Sequence, residues 1–66
     1  MNGKVRLTRV DEMGIFSFPE GICAEDVSVY IIDGEIVKRG KYYVLDNGDV
    51  DLYESRPNSI VTALLK

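Results

Sequence analysis

Flat rings and cations are the side chains of this sequence whose spacing could do chemistry. Phe16 and Phe18 stand two apart in Gly14-Ile15-Phe16-Ser17-Phe18, so in an extended strand both rings fall on one face. Turned outward they form a platform on which planar groups stack; turned inward they fill a core. Lys4 and Arg6 share a face of the preceding segment in the same way. Lys38, Arg39 and Lys41 form a second cationic group beside Tyr42 and Tyr43, of which only one can join them on a given strand face. Rings next to cations suit a single polynucleotide strand, with bases on the rings and phosphates on the cations.

Reactive chemistry is poorly provided for. The 66 residues include no His, so the usual proton shuttle near neutral pH is missing. Cys23 is the only cysteine; it can form neither an internal disulfide nor a cysteine-based zinc site, and it has no His to activate it as a nucleophile. Asp11-Glu12 and Glu25-Asp26 are sequence neighbours, and adjacent strand residues point to opposite faces, which makes them poor acid/base pairs. The run Asp46-Asn47-Gly48-Asp49-Val50-Asp51 has some acids of a calcium loop but lacks its bidentate Glu and flanking helices, so it reads as a hairpin turn. No Gly-rich phosphate loop opens a helix. These residues predict a binding protein rather than an enzyme, with no cofactor and no metal.

The elements that position the rings and cations are strands. Val5 and Leu7 alternate with Lys4, Arg6 and Thr8, the period of a half-buried strand over 4–10. A short connection ending at Gly14 leads to a second strand at 15–18, stopped by Pro19, and Pro19-Glu20-Gly21 turns the chain. Val27, Val29 and Ile31 alternate with Ser28, Tyr30 and Ile32 in a third strand. Asp33-Gly34 and Asn47-Gly48 are two-residue hairpin signals of the type I′ kind, flanked by 31–32 and 35–37 and by 42–45 and 50–53. Gly40 marks a bulge or bend. The segment 59–65 carries a helix cap at Ser59, yet Ile60-Val61-Thr62 are three β-branched residues in a row and favour a strand.

Size and charge set the remaining bounds. A chain this short builds one core and one domain, spanning 1–66. Five or six short strands with Gly- and Pro-bearing turns predict an all-β fold: a small five-stranded antiparallel barrel with an extra hairpin at 33–47. No apolar run approaches the ~20 residues of a membrane span and no secretory apolar stretch follows Met1, so a cytoplasmic protein without a membrane partner is expected. The net charge of −3 argues against coating a polyanion wholesale but leaves local basic patches effective.

The order Gly3-Lys4-Val5-Arg6, Gly14-Ile15-Phe16-Ser17-Phe18, Asp26-Val27-Ser28-Val29-Tyr30 and Gly48-Asp49-Val50 resembles the cold-shock domain family. That family has a Gly-Lys-Val-Lys opening strand, a Lys-Gly-Phe-Gly-Phe-Ile strand and an Asp-Val-Phe-Val-His strand. The resemblance covers 3–32 and 48–65. It implies a five-stranded oligonucleotide-binding (OB-like) barrel that stacks single-stranded RNA or DNA on aromatics of the second and third strands. Lys4 and Arg6 match the family's basic pair, and Tyr30 falls on its His. The family's stacking Trp falls on Leu7 and another aromatic on Ser28. If Gly14 takes the family's first Gly, the stacking positions fall on Ile15 and Ser17 and both Phe residues turn inward; a slip of one residue leaves Phe16 outward.

Two functions follow as expectations. In the first, the protein binds single-stranded nucleic acid through Lys4, Arg6, Phe16, Phe18, Tyr30, Lys38, Arg39 and Tyr42. In the second, the barrel has lost its stacking platform and binds a protein partner through an edge strand or the added hairpin, with Leu7, Ile15 and Ile32 on an outer face.

Overall fold

A computed structural model describes residues 3–11 and 14–66. The carboxylate of Glu12 and the centre of the first predicted connection therefore lie outside the described residues. The chain runs β1 (Lys4–Arg6), β2 (Thr8–Arg9), β3 (Ile15–Ser17), a single 3₁₀ turn (Ala24–Asp26), β4 (Val27–Ile32), β5 (Glu35–Ile36), β6 (Tyr43–Val44), β7 (Val50–Asp51) and β8 (Val61–Leu65). All ladders are antiparallel, in two four-stranded sheets ordered β1-β8-β4-β5 and β2-β3-β7-β6. We call these the first and the second sheet.

Leu7 joins them. Its amide donates to the Val61 carbonyl at 3.0 Å, extending the β1 ladder, and the next residue already pairs with β3. The predicted first strand is thus one extended segment that serves both sheets. No ladder joins β5 to β6 on the far side, so the two sheets do not close into a barrel of five strands. The predicted extra hairpin at 33–47 is also corrected: β5 folds back on β4 and β6 on β7, and the segment between them is a connection turning at Arg39 and Gly40.

The turn chemistry explains both hairpins. Asp33 (φ 50°) and Gly34 (φ 89°) both take the left-handed region, as a type I′ turn requires. Asn47-Gly48 is a hairpin of another kind. Gly48 donates to the Leu45 carbonyl at 2.9 Å and alone takes positive φ, so Asp46 and Asn47 form the turn and Gly48 the bulge after it. Asn47 Oδ1 accepts from the Asp49 amide at 3.0 Å, which pins the turn. At the C-terminal end the β-branched run prevails over the Ser59 cap, and β8 becomes the central strand between β1 and β4.

Pairing rows fix which residues face the core. In the first sheet Val5, Ala63 and Tyr30 form one inward row; Ala63 and Tyr30 are buried. In the second sheet Phe16 and Val50 form another. Together with Leu7, Leu52 and Val61 they make one apolar core, with no buried charge among the described residues. Burial of each large side chain stabilises the fold by roughly 1.5–3 kcal/mol. Gly14 sits where this packing is tightest. Its φ is +92°, and a Cβ there would come within 3.0 Å of the Leu52 carbonyl oxygen, the neighbour of the amide that donates to Gly14 at 2.9 Å.

Candidate interaction surfaces

Of the two orientations open to the aromatic rings, Phe16 and Tyr30 take the inward one. Phe16 and Tyr30 are each only 2 % exposed. Phe18 is half-buried with its ring centre 6.3 Å from that of Tyr30, and Tyr42 packs edge-on against Tyr30 at 4.6 Å. Phe16 is therefore withdrawn from any stacking surface, in the register in which Ile15 and Ser17 face outward. Arg9 lies over its ring at 5.8 Å.

Tyr30 is turned inward by a β-bulge. Val27 pairs with Leu65 and Val29 with Leu64, so Ser28 is an extra residue and the alternation shifts phase there. Val27, Tyr30 and Ile32 consequently face the core, and Val29 and Ile31 face out. The buried Tyr30 hydroxyl has no hydrogen-bond partner among the described residues. Burial, and then the neighbouring Tyr42 phenol, push its pKa up to about 12.

Of the predicted cations, Arg6 lines a cleft with Arg9 and Phe16. Lys4 and Arg6 are exposed on β1, on the outward face of the first sheet. Register places Lys4 in a row with Leu64 and Val29, and Arg6 in a row with Thr62, Ile31 and Ile36. Lys4 thus borders aliphatic side chains, and Arg6 borders Thr62 with aliphatic side chains beyond it. Lys38 and Arg39 are exposed on the connection after β5. Lys38 lines a groove of about 560 Å³ with Ile36, Lys41, Glu54 and Arg56, so charges of both signs face it.

Two surfaces were not anticipated from the sequence. One is the outward face of the first sheet, where Ile36 is 66 % exposed and Val29, Ile31 and Leu64 are half-exposed beside Thr62, with Ile60 exposed at the strand's start. Leu7 and Ile32, expected outside, pack in the core instead, and Ile15 is half-buried on the second sheet. The bulge at Ser28 is the missing signal, because it swaps one set of apolar residues for the other. The other surface is on the second sheet. Tyr43 (63 % exposed) and Tyr53 lie with ring centres 5.7 Å apart, and Tyr53 Oη donates to the Gly40 carbonyl at 3.3 Å. Tyr43 shares its row with Asp51 and Ile15, so a carboxylate lies beside the exposed rings. The Asn47-Gly48 hairpin could have pointed to Tyr43 rather than Tyr42, once its register was known.

No protein-family model, curated protein or solved structure matches this chain. Among the described residues no helix is long and apolar enough to cross a membrane, and no group of His, Cys, Asp and Glu is placed to hold a metal ion.

Proposed function

We propose that this protein is a protein-interaction module that docks a partner on the outward face of its first sheet. The observation that carries this reading is the aliphatic patch on that face: Val29 and Leu64 in one row and Ile31 and Ile36 in the next, with Thr62 among them, no charge between them, and Lys4 and Arg6 at their border. An antiparallel sheet with one solvated face ordinarily alternates apolar and polar residues. Aliphatic residues on both faces mark a surface that gains from being covered. A polynucleotide offers such a surface little, because branched aliphatic side chains have no flat face for a base. The cold-shock-like reading belongs with this proposal only as an open relative of such a barrel; the first segment shared by both sheets and the inward turn of Phe16 support a barrel-like pair of sheets that has lost its platform.

The test is partner capture from nuclease-treated extract, comparing the native chain with an Ile31→Ser/Ile36→Ser variant of unchanged circular dichroism. A protein retained by the native chain and lost by the variant is the expected result. Equal retention by both would sink the reading.

A nucleic-acid reading has one observation in its favour, the exposed Tyr43–Tyr53 pair, which could take a base where Phe16 and Tyr30 cannot. Asp51 in the same row repels phosphate, and this ranks the reading second. Titration with short single-stranded DNA and RNA at low salt checks it: binding that weakens as salt rises and vanishes in Tyr43→Ala supports it.

A further inference from the structure

The edge of the first sheet identifies a more specific partner. Among the described residues β1 pairs only with β8. The Leu65 amide donates to the Gly3 carbonyl at 2.8 Å and the Leu7 amide to the Val61 carbonyl at 3.0 Å, so the odd-numbered backbone groups of this segment point toward β8. In an antiparallel ladder the alternate residues point the other way, which turns the amides and carbonyls of Lys4 and Arg6 outward from the sheet. From Thr8 onward that same side is taken by β3, with Thr8 opposite Ser17. Continuing this register would set Pro19 opposite Arg6, and proline has no N–H to give. The ladder therefore stops, and among the described residues no strand pairs with this edge of β1 over its three residues.

We propose that this edge accepts an extended acidic strand of a partner protein, added antiparallel or parallel to β1 by backbone hydrogen bonds to Lys4 and Arg6. The proposal rests on the interaction-module reading and names the class of partner. Side chains on an added strand that lie opposite Lys4 and Arg6 share their face, at Cβ separations of ~4.5–5.5 Å. Carboxylates there meet an ammonium and a guanidinium. The residue between them projects to the side of Val5, which is half-buried against the core, and is apolar. The motif is acid–aliphatic–acid, and the rest of the partner would extend over the aliphatic face next to β1. The same two cations repel β1 of a second copy, so the open edge does not recruit its own kind. Strand addition of this sort draws affinity from the main chain and specificity from alternate side chains.

Amide exchange on the ¹⁵N-labelled full chain tests this, using a seven-residue peptide of alternating Glu and Val and its Lys-for-Glu counterpart. The Glu peptide is expected to slow exchange at the Lys4 and Arg6 amides at least tenfold while leaving Leu7 and Leu65, already bonded, unchanged. A Lys4→Glu/Arg6→Glu variant is expected to reverse the preference between the two peptides. Should that variant misfold, Glu peptides N-methylated at alternate amides replace it: methylation on the bonding side abolishes protection and methylation on the other side does not. No protection at millimolar peptide, protection at β5 or β6 instead, or single-stranded DNA perturbing Lys4 and Arg6 where the Glu peptide does not, each overturns the proposal. If the peptide fails while Ile31→Ser/Ile36→Ser still loses its partner, the module reading stands and only the edge assignment falls. If the peptide binds while those substitutions change nothing, the edge stands and the face does not.

Discussion

The two sheets share one core, yet their outward faces differ in chemistry. The first presents aliphatic side chains between strands, with Lys4 and Arg6 along its free edge. The second presents Tyr43 and Tyr53 with Asp51 in their row. Among the described residues Lys4 and Arg6 share their rows with no aromatic ring, whereas exposed Arg39 and Lys41 flank Gly40, whose carbonyl accepts from Tyr53. The first sheet joins aliphatic surface to positive charge, and the second joins aromatic surface to charges of both signs, with Asp51 in the row of Tyr43 and Arg39 and Lys41 beside the Tyr53 hydroxyl's partner. The first combination suits a protein partner better than a phosphate chain, and there the cations stand on the edge strand β1 itself.

This comparison requires that the interior rings be structural, and the largest expected effect tests that. Phe16→Ala should cost about 3–5 kcal/mol, enough to unfold much of a domain this small, read as the shift of a urea midpoint. A loss below 1 kcal/mol would mean that the ring is not in the core. Tyr30 supplies the next test. Its phenol ionises near pH 10 when unfolded and at about 12 when folded, so the native state holds the proton longer. Stability is full below pH 10 and falls as pH rises from 10 toward 12, by ~1.4 kcal/mol per pH unit. Tyr30→Phe should flatten that slope in alkaline denaturation, with little change at neutral pH because the hydroxyl has no partner among the described residues to lose.

Gly14→Ala is expected to cost about 2 kcal/mol. It combines a left-handed residue with a Cβ set against the Leu52 carbonyl, and thermal melts would register it. On the outward face, Ile36→Ser should change stability by no more than ~0.5 kcal/mol, while weakening partner capture. The smallest effect is expected at Tyr53→Phe, which gives up an exposed 3.3 Å hydrogen bond; a stability change above ~0.5 kcal/mol would show that the aromatic pair is part of the fold rather than of a surface.

Local turn chemistry made much of the strand plan legible. Asp33-Gly34, Pro19 and the β-branched run at 60–62 each act within a few residues and hold their expected roles, while Asn47-Gly48 marks a hairpin whose turn is shifted one residue back, to Asp46-Asn47. The inward register of Phe16 was one of two the sequence allowed. Tyr30 and the aliphatic face were harder to see, because one inserted residue at Ser28 exchanges the two sides of β4 and leaves no mark in composition. The split of the first strand was likewise invisible. Leu7 keeps the alternation of its neighbours and only its partners reveal the change of sheet. For the site, Lys4 and Arg6 are on the surface as expected, but which side chains stand next to them depends on strand order, a long-range property that no local spacing encodes.

The crossing at Leu7 bears on how this molecule comes apart. One uninterrupted segment of backbone belongs to both ladders, so neither half can melt while the other retains its full complement of neighbours. Calorimetry should accordingly give a single transition with matching calorimetric and van't Hoff enthalpies, and removing the first seven residues should abolish cooperative unfolding altogether instead of trimming one layer.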